Sequence, residues 1–249
     1  MKNHLSKIVM ALLIVMTLLL LAGCGGTAEA EPQTPEAEVP SEEIVTDQPE
    51  EPAPEEKDNP KYPVIELVDI GAITLESEQN DVLKVSYPAG EWTHLEGVDP
   101  LSLAYTETLG TNNAMNVNAQ LTAEYPGTLS EVDLEGLRGS FEQFEGYINF
   151  NVFELRMFNG APAIYTESVM KYTDEYIDLM LETGAITQQF LDENGGREVL
   201  LSIPETAQIY FYTVKDGNLY TYIGTYYNEE QKQIVMDTIN IMAQTTEAV

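Results

Sequence analysis

Two tight-turn signals, Asn159-Gly160 and Asp216-Gly217, constrain the fold of this chain most, because each lies between two long segments that have the side-chain pattern of β-strands. Asn, Asp and Gly tolerate the positive φ angles that two-residue hairpin turns require. The first signal predicts antiparallel strands over residues 147–158 and 161–172. The second signal predicts another hairpin, whose strands precede Asp216 and follow Gly217.

The second hairpin is predicted to be apolar on both faces. With a two-residue turn, Phe211 lies opposite Tyr222, and on the same face Thr213 lies opposite Tyr220. A sheet with one face in water shows polar alternation, so helices are expected to cover both faces. The other face of the hairpin carries Tyr210, Tyr212, Val214, Leu219 and Ile223.

Three regions have the spacing of amphipathic helices. Ser130 is predicted to cap a helix that ends near Phe144. Residues 174–193 form a broken helical region, interrupted at Gly184, and a final helix begins after Asn228 with a capping-box pattern. The apolar stripes of the first and last helices are Leu134, Leu137, Phe141 and Phe144, and Ile234, Val235, Ile239 and Met242.

Further alternating segments predict strands over residues 82–87, 101–108 and 114–125, and Pro88 ends the first of them. No internal repeat occurs at a fixed period. Residues 61–249 are therefore predicted to form one α+β domain.

The order of several short motifs along this region resembles that of PsbP-like proteins, a group that includes the photosystem extrinsic protein and DcrB-like bacterial lipoproteins. The resemblance covers most of residues 65–245 and implies an α-β-α sandwich around an antiparallel sheet. Residues 174–206 are longer than the family pattern, and no functional residue of the family maps onto this chain. The motifs are Val85-Ser86-Tyr87-Pro88, Trp92, a mid-domain helix, the hairpin at Phe158–Ala163, the strand Leu219–Tyr222 and a closing helix.

The N-terminal segment has the pattern of an export signal. Lys2 and Lys7 precede an uncharged apolar run over residues 8–22, and the next charge is Glu29. Residues 1–23 are therefore predicted to be a signal peptide.

Leu21-Ala22-Gly23-Cys24 resembles the lipobox of bacterial lipoproteins, in which the cysteine is lipidated on sulfur and becomes the mature N-terminus. Cys24 is the only cysteine of the chain. The resemblance implies a diacylglyceryl anchor on this cysteine. Its two acyl chains would hold the protein at a membrane, whereas a single chain would exchange. The predicted location is the extracytoplasmic side of the cell membrane, with the membrane itself as a partner.

Residues 24–60 have the composition of a disordered tether. They contain twelve acidic residues, seven prolines, one lysine and no aromatic residue. Such a segment cannot bury enough apolar area to offset its chain entropy. We expect it to act as a solvated spacer between Cys24 and the domain.

Charge and composition exclude several classes of function. The chain has 42 acidic and 11 basic residues, a net charge of -31, which would repel the phosphates of nucleic acids. One cysteine and two histidines supply neither a disulfide framework nor a Cys/His zinc site. We therefore expect no nucleic-acid partner and no cofactor.

The candidates for acid-base or metal chemistry are weak. His94 is the only histidine after residue 23, and no nucleophile motif lies near it. Residues 192–196 are oxygen-rich but lack the alternating acids of a calcium loop. Chance alone yields carboxylate pairs in so acidic a chain, so no catalytic or metal-binding residue is predicted. The pairs are Glu142 with Glu145, Asp174 with Asp178, and Asp192 with Glu193.

Aromatic residues are the better candidates for a binding site. Tyrosine offers a large contact area with few rotatable bonds, so an aromatic platform would suit sugar rings or an apolar patch of a partner. Alternating tyrosines of a hairpin also fit a sheet core, and both interpretations remain open from the sequence. The candidate ligand-binding residues are Trp92, Tyr210, Tyr212, Tyr220 and Tyr222.

These features together predict a membrane-anchored, extracytoplasmic lipoprotein that presents a non-catalytic domain for binding a protein or a ligand. The expected partner is an envelope protein or a glycan. Two alternatives are an envelope enzyme that cleaves glycans with paired carboxylates, and a lipoprotein that binds cations.

Overall fold

The computed structural model describes residues 61–96, 100–111, 113–184, 186–193 and 196–249. The predicted signal peptide at 1–23, the lipidation site Cys24 and the predicted tether at 24–60 lie outside the described residues.

A seven-stranded antiparallel sheet forms the centre of the domain, in the order β3-β4-β5-β9-β8-β7-β6. A second, three-stranded sheet has the order β1-β2-β10. The strands are β1 (Leu75–Gln79), β2 (Leu83–Pro88), β3 (Trp92–His94), β4 (Leu101–Tyr105), β5 (Asn116–Glu124), β6 (Ile148–Phe158), β7 (Ala161–Met170), β8 (Thr206–Lys215), β9 (Asn218–Tyr226) and β10 (Glu247–Ala248).

Both predicted hairpins are confirmed. Asn159 and Gly160 connect β6 to β7 with φ angles of 48° and 81°, and Asp216 and Gly217 connect β8 to β9 with φ angles of 52° and 77°. The predicted register of the second hairpin is also confirmed, with Phe211 opposite Tyr222 and Thr213 opposite Tyr220.

The described helices are α1 (Glu131–Phe141), α2 (Asp174–Glu182), α3 (Gln188–Glu193), α4 (Arg197–Leu201) and α5 (Glu229–Thr245). The helix predicted up to Phe144 ends as a short 3-10 helix over Glu142–Phe144. At the start of α5, the side chain of Asn228 accepts a hydrogen bond from the backbone N–H of Gln231 at 2.9 Å. The Gln231 side chain in turn accepts from the backbone N–H of Tyr227 at 2.8 Å, which fixes the entry of the chain into the helix.

Two apolar cores lie on opposite faces of the seven-stranded sheet. Residues of α1 to α4 pack with Tyr210, Tyr212 and Ile223 on one face. Residues of α5 and of β2 pack with Phe211 and Tyr222 on the other face. The α+β class with both faces covered is thereby confirmed. The strand predicted over residues 82–87 is present as β2, and it lies in the small sheet, which shares with α5 the cover of the second face.

Gly224 is the point at which α5 approaches the central sheet most closely. A Cβ atom on this residue of β9 would lie 2.1 Å from Val235 Cγ1 and 2.9 Å from Ile239 Cδ1. Only a glycine at this position permits the observed distance between the helix and the strand, because real Cβ atoms do not approach other carbons so closely.

Candidate functional site

The aromatic residues predicted to bind a ligand are part of the two cores. Tyr210 and Tyr212 belong to the core under α1 to α4, while Trp92, Tyr220 and Tyr222 belong to the core under α5 and the small sheet. None of the five is more than 4% exposed. They therefore form no common exposed platform, and the core interpretation fits their positions, because cover on both faces of the sheet leaves neither set of tyrosines in water.

His94 lies at the end of β3, where its Nδ1 is 3.5 Å from Glu78 Oε2 of β1. The contact joins the edge of the central sheet to the small sheet. Among the described residues, no serine or threonine hydroxyl forms a hydrogen bond with His94, so the geometry of a nucleophile and its base is not present there.

Two of the three carboxylate pairs do not form a cleft with two free acids, and the third includes Glu193, whose side chain lies outside the described part of the chain. Asp174 and Asp178 of α2 both contact Arg197, with 3.2 Å between Arg197 Nη1 and Asp174 Oδ1. Glu142 and Glu145 are exposed. Within the described ranges, no group of three or more His, Cys, Asp or Glu residues could hold a metal ion, and no helix is long and apolar enough to cross a membrane.

A cavity of about 370 Å³ lies on the face of the sheet that α5 covers. Its lining comes from β6, β7 and β8, from α5, and from residues 64–68. We call residues 63–68 the strap. The lining includes Leu67, Arg156, Tyr165, Gln233, Met236 and Asp237.

The strap is fixed at both sides of the cavity. On the side of the sheet edge, Ile65 N donates to Met157 O at 2.8 Å and Met157 N donates to Pro63 O at 2.7 Å. On the side of the helix, Asn240 Nδ2 donates to Glu66 O at 2.8 Å, and Asn240 Oδ1 accepts from Val68 N at 3.2 Å. Backbone and side-chain hydrogen bonds therefore hold the strap across the space between α5 and β6.

Arg156 is the arginine of the cavity lining, and its surroundings fix its position. It lies two residues before Phe158 on β6, so both side chains are on the face that α5 covers. Its Nε donates to Glu154 Oε1 at 2.8 Å, and its guanidinium lies 3.8 Å from the centre of the Tyr165 ring. The ion pair and the cation–π contact together orient the guanidinium at the cavity.

Tyr165 connects these contacts of Arg156 to further polar contacts that reach α5. Its hydroxyl donates to Glu167 Oε1 at 2.6 Å, and Lys232 Nζ donates to Glu167 Oε2 at 2.8 Å. Burial, reinforced by the hydrogen bond to Glu167, raises the pKa of Tyr165 well above its ordinary value. The phenol therefore remains a neutral donor, and the chain of contacts links β6, β7 and α5 beside the cavity.

The comparisons with known proteins bear on the fold alone. No protein-family model and no curated protein matches the sequence. The structure is similar to the solution structure of PsbP (CyanoP) from Synechocystis sp. PCC 6803, with 14% identity, a TM-score of 0.36, and cover of 74% of this chain and 98% of that chain.

Two further solved structures are similar at the same level. LpqN of Mycobacterium tuberculosis, described as involved in cell envelope biogenesis, has 11% identity, a TM-score of 0.36, and cover of 72% of this chain and 92% of that chain. A protein from Bacteroides thetaiotaomicron VPI-5482 has 9% identity and a TM-score of 0.35, with cover of 67% of this chain and 45% of that chain. Similarity this low assigns no ligand and no activity to the chain.

The cavity could not be predicted from the sequence. Its lining comes from four segments that are distant in the chain, and residues 64–68 show no pattern that predicts a wall. One signal was available: Arg156 is a basic residue on the inward side of a strand, in a region of 30 acidic and 8 basic residues between 61 and 249. A charge at an inward position indicates a partner or a function.

Proposed function

We propose that this chain is a lipoprotein anchored at the extracytoplasmic side of the cell membrane, and that its domain binds an apolar ligand in the cavity under the strap without catalysing a reaction. The observation that carries the binding role is the cavity itself. Its volume of about 370 Å³ falls within the range of small-molecule sites, and its walls combine apolar side chains with a few fixed polar groups.

The anchoring part of the proposal is supported by the lipobox-like Leu21–Cys24 and by the acidic, proline-rich residues 24–60. A flexible tether of this length would average about 35 Å from end to end. Like charges would extend it further and would keep it away from anionic lipid. The domain would then reach ligands or partners beyond the surface of the membrane.

Lipidation at Cys24 is tested by labelling cells that produce the full chain with radioactive palmitate. We expect the wild-type protein to incorporate label and to begin at Cys24 after processing, and Cys24→Ala to incorporate none. Thr27→Ala, three residues beyond the lipobox, serves as the control and should retain the label. An unlabelled wild-type protein would contradict the anchoring part of the proposal and would leave the binding part unaffected.

Ligand binding is tested with the uncharged apolar dye Nile red and the mature chain, residues 24–249, carrying Cys24→Ser so that no detergent is needed. Leu67→Trp should weaken dye binding about tenfold, which corresponds to about 1.4 kcal/mol, because the larger ring fills part of the cavity. Leu67 is 44% exposed, so the fold should tolerate the change.

Leu109→Trp is the matched control, because Leu109 is 42% exposed and is not part of the cavity lining. This variant should bind the dye as the parent chain does. Equal affinity in the parent chain and both variants would place the dye outside the cavity and contradict the binding part of the proposal.

A further inference from the structure

Arg156 has donors that the protein does not use. A guanidinium carries five N–H groups in a planar fork, and the Nε group of Arg156 is bonded to Glu154. The Tyr165 ring covers one face of the plane. Among the described residues, no acceptor forms a hydrogen bond with either terminal nitrogen of Arg156. The end of the fork that can pair with two oxygens of one group is therefore free.

The position of this free fork is partly buried. The Arg156 side chain is 22% exposed and forms part of the cavity lining. A hydrogen bond to a charged group is stronger in such a place than in water, because water screens and competes less. A ligand oxygen that reaches the fork would therefore gain more from Arg156 than from an exposed arginine.

The rest of the lining determines what kind of molecule would carry that oxygen. Most of the side chains that share the cavity lining with Arg156 are apolar, on the strap, the sheet and α5, so the body of the ligand is expected to be apolar. They are Val64, Ile65, Leu67, Val68, Phe158, Ile209, Phe211, Met236 and Ile239.

The nearby acids limit the charge of the ligand. Asp237 and Glu66 also line the cavity, and residues 61–249 have a net charge of -22. The Asp237 carboxylate accepts from Gln233 Nε2 at 2.9 Å, and among the described residues no basic side chain forms an ion pair with it. Repulsion from these acids rises with each negative charge on the ligand. One negative charge is therefore tolerated better than the two of a phosphate monoester.

We propose that the cavity binds an apolar monocarboxylic acid, with its carboxylate paired to the terminal nitrogens of Arg156 and its hydrocarbon part between α5 and the strap. A medium-chain fatty acid is the simplest molecule of this class. The proposal rests on the ligand-binding function proposed above and names the class of ligand for that same site.

Calorimetry with the mature chain carrying Cys24→Ser tests the proposal with octanoate, octanol and octyl phosphate as probes. Octanoate should bind at least about tenfold more tightly than octanol, because only octanoate pairs with the arginine fork. Octyl phosphate should bind more weakly than octanoate at neutral pH. The order of the three affinities separates a carboxylate site from a general apolar site and from a phosphate site.

Arg156→Met keeps an unbranched apolar side chain and removes the charge. We expect it to weaken octanoate binding about 10- to 100-fold and to change octanol binding by less than about threefold. Arg156→Lys, which keeps the charge and loses the fork, should give an intermediate affinity. If Arg156→Met does not fold, as judged by circular dichroism, the lysine variant decides the result.

The control is Arg138→Met. Arg138 also lies over an aromatic ring, 5.0 Å from the centre of Phe153, and is paired with Glu135, but it is outside the cavity lining. Its replacement should leave octanoate binding unchanged. An equal loss of affinity in the Arg138 and Arg156 variants would show an effect of net charge alone and would overturn the proposal.

Other outcomes distinguish the proposal from the function on which it rests. Equal affinity for octanoate and octanol, unchanged by Arg156→Met, would overturn the carboxylate site, while the loss of Nile red binding in Leu67→Trp would still support an apolar site. Tighter binding of octyl phosphate than of octanoate would also overturn the proposal. If neither octanoate nor octanol binds and Leu67→Trp leaves dye binding unchanged, both proposals fail.

Discussion

Gly224→Ala should lower the free energy of unfolding by about 3 kcal/mol, because the added methyl group overlaps two buried side chains of α5. The new Cβ would lie 2.1 Å from Val235 Cγ1 and 2.9 Å from Ile239 Cδ1. Val235 and Ile239 are themselves packed in the core under α5, so neither can turn away into solvent. These side chains must be repacked or α5 must move away from β9, and either change weakens the packing of α5 on the central sheet.

Urea denaturation followed by circular dichroism measures the effect, and Gly136→Ala is the matched control. Gly136 lies within α1, and apart from its chain neighbours and the backbone of its own helix no described atom would lie within 4 Å of its added Cβ. Alanine at an interior helix position stabilises by about 0.5–1 kcal/mol relative to glycine, so the control should become slightly more stable. A similar response of both variants to urea would mean that α5 is not in close contact with the sheet at Gly224.

The hairpins could be predicted from the sequence because the information that determines them is local. Asn159-Gly160 and Asp216-Gly217 specify both the turn and the register, since a two-residue loop allows one pairing of the adjoining strands. The opposition of Phe211 and Tyr222 follows directly from that register. Helix starts are equally local, as the hydrogen bond between Asn228 and Gln231 shows.

Pairings between distant segments could not be predicted in the same way. β5 pairs with β9, so that Asn116 lies opposite Thr225, although about a hundred residues separate them. β2 pairs with β10, which is formed by Glu247 and Ala248 near the end of the chain. An alternating pattern shows that a strand has two faces, but it does not show which strand lies beside it. The separate small sheet was missed for this reason.

The tyrosines show how two predictions from one pattern can conflict. Apolar side chains on both faces of β8 and β9 predicted that both faces of the sheet are covered, and that cover is present. The same residues could form an exposed binding platform only if one side lacked cover. Burial of Tyr212 on one face and of Tyr222 on the other resolves the conflict in favour of the core.

Asn240→Leu is expected to loosen the strap. Among the described residues, Asn240 forms two of the three side-chain hydrogen bonds that join α5 to the strap, and the third runs from Gln244 Nε2 to Val68 O at 3.1 Å. Asn240 Nδ2 donates to Glu66 O at 2.8 Å, while Oδ1 accepts from Val68 N at 3.2 Å and from Gln244 Nε2 at 2.8 Å. Leucine has a similar size and makes none of these hydrogen bonds. Loss of the partners of these buried groups should cost about 2 kcal/mol or more in the stability of the strap.

Hydrogen exchange measured by mass spectrometry locates this effect. In Asn240→Leu, we expect faster exchange at the amides of Ile65 and Met157, which are hydrogen-bonded only while the strap lies on β6, and unchanged exchange in the β8–β9 hairpin. Gln233→Leu is the control, because Gln233 lies on the same helix and its side-chain amide donates to Asp237, while none of the described hydrogen bonds joins it to the strap. Nile red affinity should fall in Asn240→Leu as one wall of the cavity loosens. Exchange that accelerates equally throughout the domain would instead show that Asn240 supports the fold as a whole, and that the strap does not open separately.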